Sequence, residues 1–294
     1  MIGFAIVAVG FASFAWWRSQ YLRALNEAIS RRRPLGQDGI VVGGEGFVLE
    51  RAGAPAILLL HGAGDTPQTL RYLGEALHAK GFHVAAPLLP GHGRGLEAFM
   101  RVTADQFTSA ARSSYETLSA EHEWVGIIGL SMGGALAVQL AADAASLPAL
   151  GLVAPYLVMP RKVDRAARLS WLWGLFVPAV RSADGISVRD PVERERSLAY
   201  GAFTAAGLRA LQQTVRRAVR ASPRLRAPTL VIQSRDDNRI QVAAAEQAFA
   251  RLGTSEKRLE WTTGAAHIIT VDYGRDDVIA SLSDWMQKHL RSSV

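Results

Sequence analysis

The sequence predicts an α/β protein with a mostly parallel central sheet flanked by helices, a helical insertion and an apolar helix at the N-terminus. Three features point there. From residue 56 short apolar runs alternate with helix-forming stretches, the pattern of strand–helix–strand units with parallel strands. Between residues 155 and 222 that alternation stops and arginine-rich, helix-forming sequence takes over. Within the alternating part, Gly129-Leu130-Ser131-Met132-Gly133 falls between an apolar run at 124–128 and a helix-forming run at 135–142.

Each element has its own reason. Residues 1–17, MIGFAIVAVGFASFAWW, carry no charge, and Trp16 and Trp17 are followed at once by Arg18. A helical span needs about 17–25 apolar residues, with tryptophans at the membrane interface. The expectation is therefore a single membrane-anchoring helix. Arg18, Arg23, Arg31, Arg32 and Arg33 follow it, which puts the rest of the chain in the cytoplasm. The alternatives are export after signal cleavage, with Ser13-Phe14-Ala15 as the site, and a buried or surface-lying helix. Residues 20–30 continue the helix, and 31–36 form a basic linker held to anionic lipid. Residues 40–42 and 46–50 are expected to pair as a hairpin around Gly43-Gly44.

The strand at 56–60 leads into His61-Gly62-Ala63-Gly64-Asp65, after which Thr66 can cap a helix with Pro67 in its first turn and Gly81 at its end. A strand at 83–86 precedes a Gly/Pro-rich loop, and Thr103-Ala104-Asp105-Gln106 is a capping box opening a helix to about 119. Further strands are expected at 150–154, 229–233 and 258–261, with helices at 242–252 and 276–290. The division is thus 1–33 as apolar segment and basic linker, 34–154 with 223–294 as the core, and 155–222 as a helical lid without strands. Within that lid, Trp171, Trp173, Leu175 and Phe176 form an apolar face for membrane, acyl chain or lid core.

At 294 residues and 49% hydrophobic composition the chain can build a large core, and 20% charged residues argues against disorder. The net charge of +7 is almost all arginine, scattered rather than interleaved with aromatics, and no zinc or helix-turn-helix pattern accompanies it. Nucleic acid is not an expected partner; anionic lipid is. The absence of cysteine excludes disulfides and thiolate chemistry, and no metal or organic cofactor is implied.

Gly-x-Ser-x-Gly between strand and helix is the setting for a nucleophilic serine on a strained turn, its Oγ exposed at the end of a sheet. Such a serine needs a base, a group orienting that base, and donors for an oxyanion. Ser, acid and His follow in that order along the chain, each after a strand. Asp236 and Asp237 both follow the strand at 229–233; Asp237, three residues before Ile240, is the preferred acid. His267, in a loop of small residues before the last helix, is the base; His78, His83, His122 and His289 fit that position less well. The backbone N–H groups of Met132 and Ala63 are the expected oxyanion donors, and His92 braces its loop or lines the pocket mouth.

With these residues in place the chain resembles the α/β-hydrolase fold, and within it the bacterial monoacylglycerol lipases and related carboxylesterases. The resemblance spans about residues 56–290. It is carried by LLLHGAGDTPQTLRYLGEALHAKGFHVAAPLLPGHG, GLSMGG, VIQSRDDNRI and AAHIITVDYGRDDVIASLSDWM. It implies a serine ester hydrolase acting on monoacylglycerols or simple carboxylic esters, with a small helical lid and with Asp237 rather than Asp236 as the acid. Ala63 stands where such enzymes often carry a bulkier residue. Thioesterase, peptidase or carbon–carbon hydrolase chemistry would use the same residues, and a non-enzymatic membrane protein could share the fold. Haloalkane dehalogenation would need an aspartate in place of Ser131.

Overall fold

The computed structural model describes residues 2–177, 179–181 and 187–292, with the side chains of residues 2–8 left aside. The chain opens with α1 (Ile2–Ser30). The first strand, β1 (Phe47–Leu49), is followed by β2 (Ala56–Leu60), a 3-10 turn at Pro67–Leu70, α2 (Arg71–Ala79) and β3 (His83–Ala86). Then come α3 (Leu96–Phe99), α4 (Ala104–Glu121), β4 (Val125–Leu130), α5 (Met132–Asp143) and β5 (Leu150–Val153). The segment after β5 holds α6 (Arg161–Arg168), α7 (Ser170–Phe176), β6 (Ala179–Arg181), α8 (Pro191–Arg196), β7 (Ala202–Thr204) and α9 (Ala205–Ala221). β8 (Thr229–Ser234), α10 (Val242–Ala250), β9 (Lys257–Thr262) and α11 (Arg275–Arg291) complete the chain.

Seven strands form one sheet in the order β1-β3-β2-β4-β5-β8-β9. Every pairing is parallel except β1 with β3. The central strands are buried on both faces, as parallel sheets covered by helices must be. Alternation splits their side chains between two cores. Leu58, Leu60, Ile127, Leu152 and Val231 meet α4, α5 and α9 on one face. Ile57, Leu59, Ile128, Val153 and Ile232 meet α2 and α11 on the other. Because the strands run parallel, Leu60, Leu130, Val153, Ser234 and Thr262 all end at one edge of the sheet, and the loops that follow gather there.

Three expectations need correction. Residues 40–42 form no strand: Val41 makes only an isolated bridge to Leu35, and β1 pairs with β3 instead of folding back as a hairpin. The cause is the tertiary edge offered by β3, which outcompetes a local turn. Thr66 does not cap with its side chain; Asp65 takes that place, its Oδ1 accepting from the Thr66 N–H at 2.8 Å and its Oδ2 from the Thr69 hydroxyl at 2.9 Å. The stretch 155–222 does contain strands, β6 and β7, paired antiparallel through Val180 and Phe203. At three residues each they are too short to display a two-residue period. The capping box at Thr103 and Gln106 forms with both of its bonds.

Among the described residues no helix is long and apolar enough to cross a membrane. The second half of α1 is not a free tether. Leu25 and Ile29 are buried in the same core as Leu96 and Phe99. The Tyr21 hydroxyl donates to the Ala179 carbonyl at 2.8 Å, and Asn26 accepts from the Leu96 N–H. Just beyond α1 the Arg33 guanidinium, half buried, reaches the carbonyls of Ser197 and Tyr200. Truncating the side chain of Leu25, 5% exposed, to alanine should cost about 2–4 kcal/mol. A lowered urea midpoint with an unchanged slope is the expected result, and an unmoved midpoint would show that α1 is undocked in solution.

Candidate active site

Ser131 follows β4 and precedes α5 with φ 54° and ψ −114°, a left-sided conformation that non-glycine residues rarely adopt. Backbone bonds hold it there: its N–H donates to Val153 at 2.9 Å, and its carbonyl accepts from Tyr156 at 3.0 Å and Ala135 at 3.2 Å. The flanking glycines are steric requirements. A Cβ on Gly129 would overlap the Gly133 carbonyl, and one on Gly133 would overlap the Leu60 carbonyl. α5 can therefore start against β2 and β4 only with hydrogen at both positions.

The structure brings Ser131, His267 and Asp237 into one hydrogen-bonded chain. Ser131 Oγ lies 2.8 Å from His267 Nε2, and His267 Nδ1 lies 2.8 Å from Asp237 Oδ2. Asp237 also accepts from Gln233 Nε2 at 2.6 Å and from the N–H groups of Arg239 and Ile240 at 2.7 and 3.0 Å. Burial pushes its carboxyl up, but the His267 bond and the two N–H groups outweigh burial and hold it below the usual carboxylate range. It therefore stays ionised beside the imidazole at neutral pH. Asp236 has a different position: its Oδ2 accepts from the Gly264 N–H at 2.8 Å, anchoring the loop that carries His267.

That loop is tied at further points that the sequence reading did not single out. Ser234 Oγ donates to the Ala265 carbonyl at 2.7 Å, and the Ile268 N–H to Ser187 at 2.9 Å. Asp272, 2% exposed, accepts four backbone N–H groups: Ala266 at 2.7 Å, Arg189 at 2.8 Å, Asp190 at 2.9 Å and Tyr273 at 2.9 Å. One buried carboxylate thus joins the His267 loop to the segment of Arg189 and Asp190 that leads into α8. The available signals were small: Gln233 is a polar end to an apolar run, and Asp272 lies within the block shared with the resembled family.

Met132 is the first residue of α5, so its N–H has no intrahelical acceptor and sits at the positive end of the helix dipole. Ala63 follows Gly62, whose Cβ position is 3.4 Å from Ser131 Cβ and 3.9 Å from its Oγ. The 61–64 loop therefore runs alongside the serine. His61 braces it: Nε2 accepts from the Leu89 N–H at 3.0 Å, which leaves Nδ1 to donate to the Gly62 carbonyl at 2.9 Å. His92 packs on His61, Phe99 and Phe107 and is wholly buried, so it braces its loop and does not line the pocket. Burial pushes the His92 imidazole down to about 4 and His61 well below its usual value, so both stay neutral.

A cavity of about 620 Å³ opens on Ser131 and His267. Trp173 lines it and donates from Nε1 to the Ala166 carbonyl at 2.8 Å, whereas Trp171, Leu175 and Phe176 point outward and are more than half exposed. A hydroxyl bonded to an imidazole, itself bonded to a buried carboxylate, offers a route for its proton to leave.

The serine aminopeptidase S33 family matches residues 53–273, and the chain belongs to it. It is a serine hydrolase of the α/β-hydrolase fold. A thermostable monoacylglycerol lipase from a Bacillus species is 26% identical over 250 residues, covering 85% of this chain and 97% of the relative. A Bacillus subtilis carboxylesterase is 27% identical over 243 residues, covering 81% and 94%. Among solved structures, one from work on the metagenome-derived lipolytic enzymes LipS and LipT superposes with a TM-score of 0.77 at 24% identity, covering 85% of this chain and all of that one. The Paleococcus ferrophilus monoacylglycerol lipase superposes with a TM-score of 0.70 at 20% identity, covering 83% and 99%.

Two expected outcomes test the geometry. Gly133→Ala should prevent the folded protein from accumulating, because the clash is with backbone; a soluble variant with the parent's melting temperature would contradict the elbow packing. Asp65, buried behind the 61–64 loop, is raised to about 6, chiefly by burial. Its unfolded form releases the proton earlier, near pH 4, so wild-type stability should fall as pH rises from about 4 to about 6, by on the order of 2–3 kcal/mol. Urea midpoints measured across that window should show the fall in the parent and its absence in Asp65→Asn.

Proposed function

We propose that this member of the serine aminopeptidase S33 family is a carboxylic ester hydrolase that cleaves monoacylglycerols or simple acyl esters through an acyl-enzyme. Ser131 Oγ attacks the ester carbonyl while His267 Nε2 takes its proton. Asp237 orients the imidazole and stabilises the imidazolium. The N–H groups of Met132 and Ala63 bind the oxyanion, and His267 returns the proton to the leaving alcohol. Water activated by the same histidine then releases the acid. The observation that carries this reading is the Ser131–His267–Asp237 chain, with 2.8 Å at each link, facing a largely apolar cavity. The lipase and carboxylesterase relatives support the substrate class. Residues 155–222 act as the lid that shapes the acyl pocket.

The apolar face at the N-terminal helix supports a second part of the reading: the enzyme works seated on a lipid surface. Phe14 meets Phe176 edge-on at 5.7 Å, joining α1 to α7. Phe11, Trp16 and Trp17 on α1 and Trp171, Leu172 and Leu175 on α7 are exposed. Such a patch suits the headgroup–acyl boundary. Vesicle co-sedimentation of the full chain should be lost in Trp171→Ser/Phe176→Ser; retention by that variant would remove α7 from the contact.

Hydrolysis of p-nitrophenyl esters of graded chain length tests the chemistry. Ser131→Ala and His267→Ala, folded by circular dichroism, should lose at least about 10³-fold in kcat. Asp237→Asn should lose about 10³–10⁴-fold, and Asp236→Asn less than about tenfold. Full activity in Ser131→Ala would overturn the proposed nucleophile, and a folded parent inactive on every ester would overturn the reaction class.

A further inference from the structure

The antiparallel ribbon of β6 and β7 stands apart from the seven-stranded sheet. Its side chains alternate between two environments, as the pleat requires. Ala179 and Thr204, paired across it, are wholly buried. The next pair, Val180 and Phe203, is exposed and lines the cavity that opens on Ser131. A two-stranded ribbon is marginal in water by itself, so its place depends on what holds it. β7 runs directly into α9, and Thr204 Oγ1 donates to the Phe99 carbonyl at 3.0 Å. β6 is held from the far end of the chain: the Tyr21 hydroxyl donates to the Ala179 carbonyl at 2.8 Å. Tyr21 is itself fixed, because Leu25, one turn further along α1 on the same face, is buried in one core with Phe99 and Ala179. α1 precedes residues 53–273, so this support comes from outside the stretch that the family shares.

We propose that Tyr21 is a positioning residue for the acyl chain of the substrate. By fixing the Ala179 carbonyl it keeps Val180, and Phe203 across the ribbon, against an acyl chain bound at Ser131. The N-terminal helix thereby takes part in choosing acyl length. This rests on the ester-hydrolase reading and adds a determinant of its substrate. A butyryl group ends close to the reacting carbonyl, whereas an octanoyl chain runs further along the cavity wall. Each added methylene gains from burial only where the wall is in place to cover it. Displacing the ribbon therefore penalises long chains more than short ones. Tyr21→Phe keeps the ring and its packing and removes only the bond to Ala179.

The test uses the full chain with p-nitrophenyl octanoate and p-nitrophenyl butyrate, each dissolved without detergent below its solubility limit so that no interface contributes. The readout is the octanoate-to-butyrate ratio of kcat/KM, in which any loss of folded enzyme cancels. In Tyr21→Phe that ratio should fall at least about fivefold, through KM for octanoate. In Val180→Ala/Phe203→Ala it should fall at least as far. Adding Tyr21→Phe to that pair should lower it no further, because the tyrosine acts through the ribbon. A residue that served stability alone would lower both activities together and leave the ratio unmoved, which overturns the proposal. An unmoved ratio in Val180→Ala/Phe203→Ala, or a further fall in the triple variant, overturns it as well. If the parent cleaves butyrate and refuses octanoate, the proposal fails and the ester-hydrolase reading stands. If the folded parent cleaves neither ester, both fall.

Discussion

Gly133 lies so close to the carbonyl oxygen of Leu60 that no side chain fits between them, and Gly129 stands in the same relation to Gly133. Most of the site depends on that contact. It lets the first turn of α5 begin directly against β2 and β4, which forces the intervening residue, Ser131, into a positive φ. A conformation of this kind costs about 1–3 kcal/mol and persists only where the surroundings impose it. Here the bonds to Val153, Tyr156 and Ala135 impose it. The hydroxyl is thereby held clear of the sheet edge, within reach of a histidine donated by a loop more than a hundred residues further along the chain.

Loops are ordinarily the least constrained parts of a fold, yet His267 has to sit within a few tenths of an ångström to meet both neighbours. Three side chains supply the constraint: Ser234 at the end of β8, Asp236 just after it, and Asp272 beyond His267. Ser234 and Asp236 bond the backbone on the way into His267, and Asp272 bonds it from the other side while also gripping Arg189 and Asp190. The two adjacent aspartates thus divide the labour. Asp237 faces the imidazole, and Asp236 faces the loop backbone, because successive residues of a turn point in different directions. The segment of Arg189 and Asp190 ahead of α8 is fastened to the same carboxylate as the histidine loop.

The N-terminal helix changes the picture of the chain as a core with an appendage. Its first half presents aromatic side chains outward, and its second half fills the core beside α3 and bonds β6. The edge contact of Phe14 with Phe176 makes one apolar surface out of two distant stretches of sequence. The same insertion turns Trp173 inward to the cavity and Trp171 outward to solvent, two positions apart on one short helix, so a single apolar run serves two environments.

Periodicity and turn chemistry in the sequence determined the parallel sheet, most of its helices and the capping box at Thr103, because those depend on neighbours within a few residues. They also singled out Ser131, Asp237 and His267, since a serine elbow and the ends of strands are local patterns. What lay beyond reach were matters of long-range partnership. β1 chose β3 over a hairpin because a neighbouring edge was open. β6 and β7 were too short to show a period. Asp65 displaced Thr66 as the bonding group of its turn. The sequence preferred Asp237 as partner of the imidazole; where Asp236 bonds, at the Gly264 N–H, was decided only when the chain closed on itself. Direction and distance between residues far apart in sequence are properties of packing, and no local pattern encodes them.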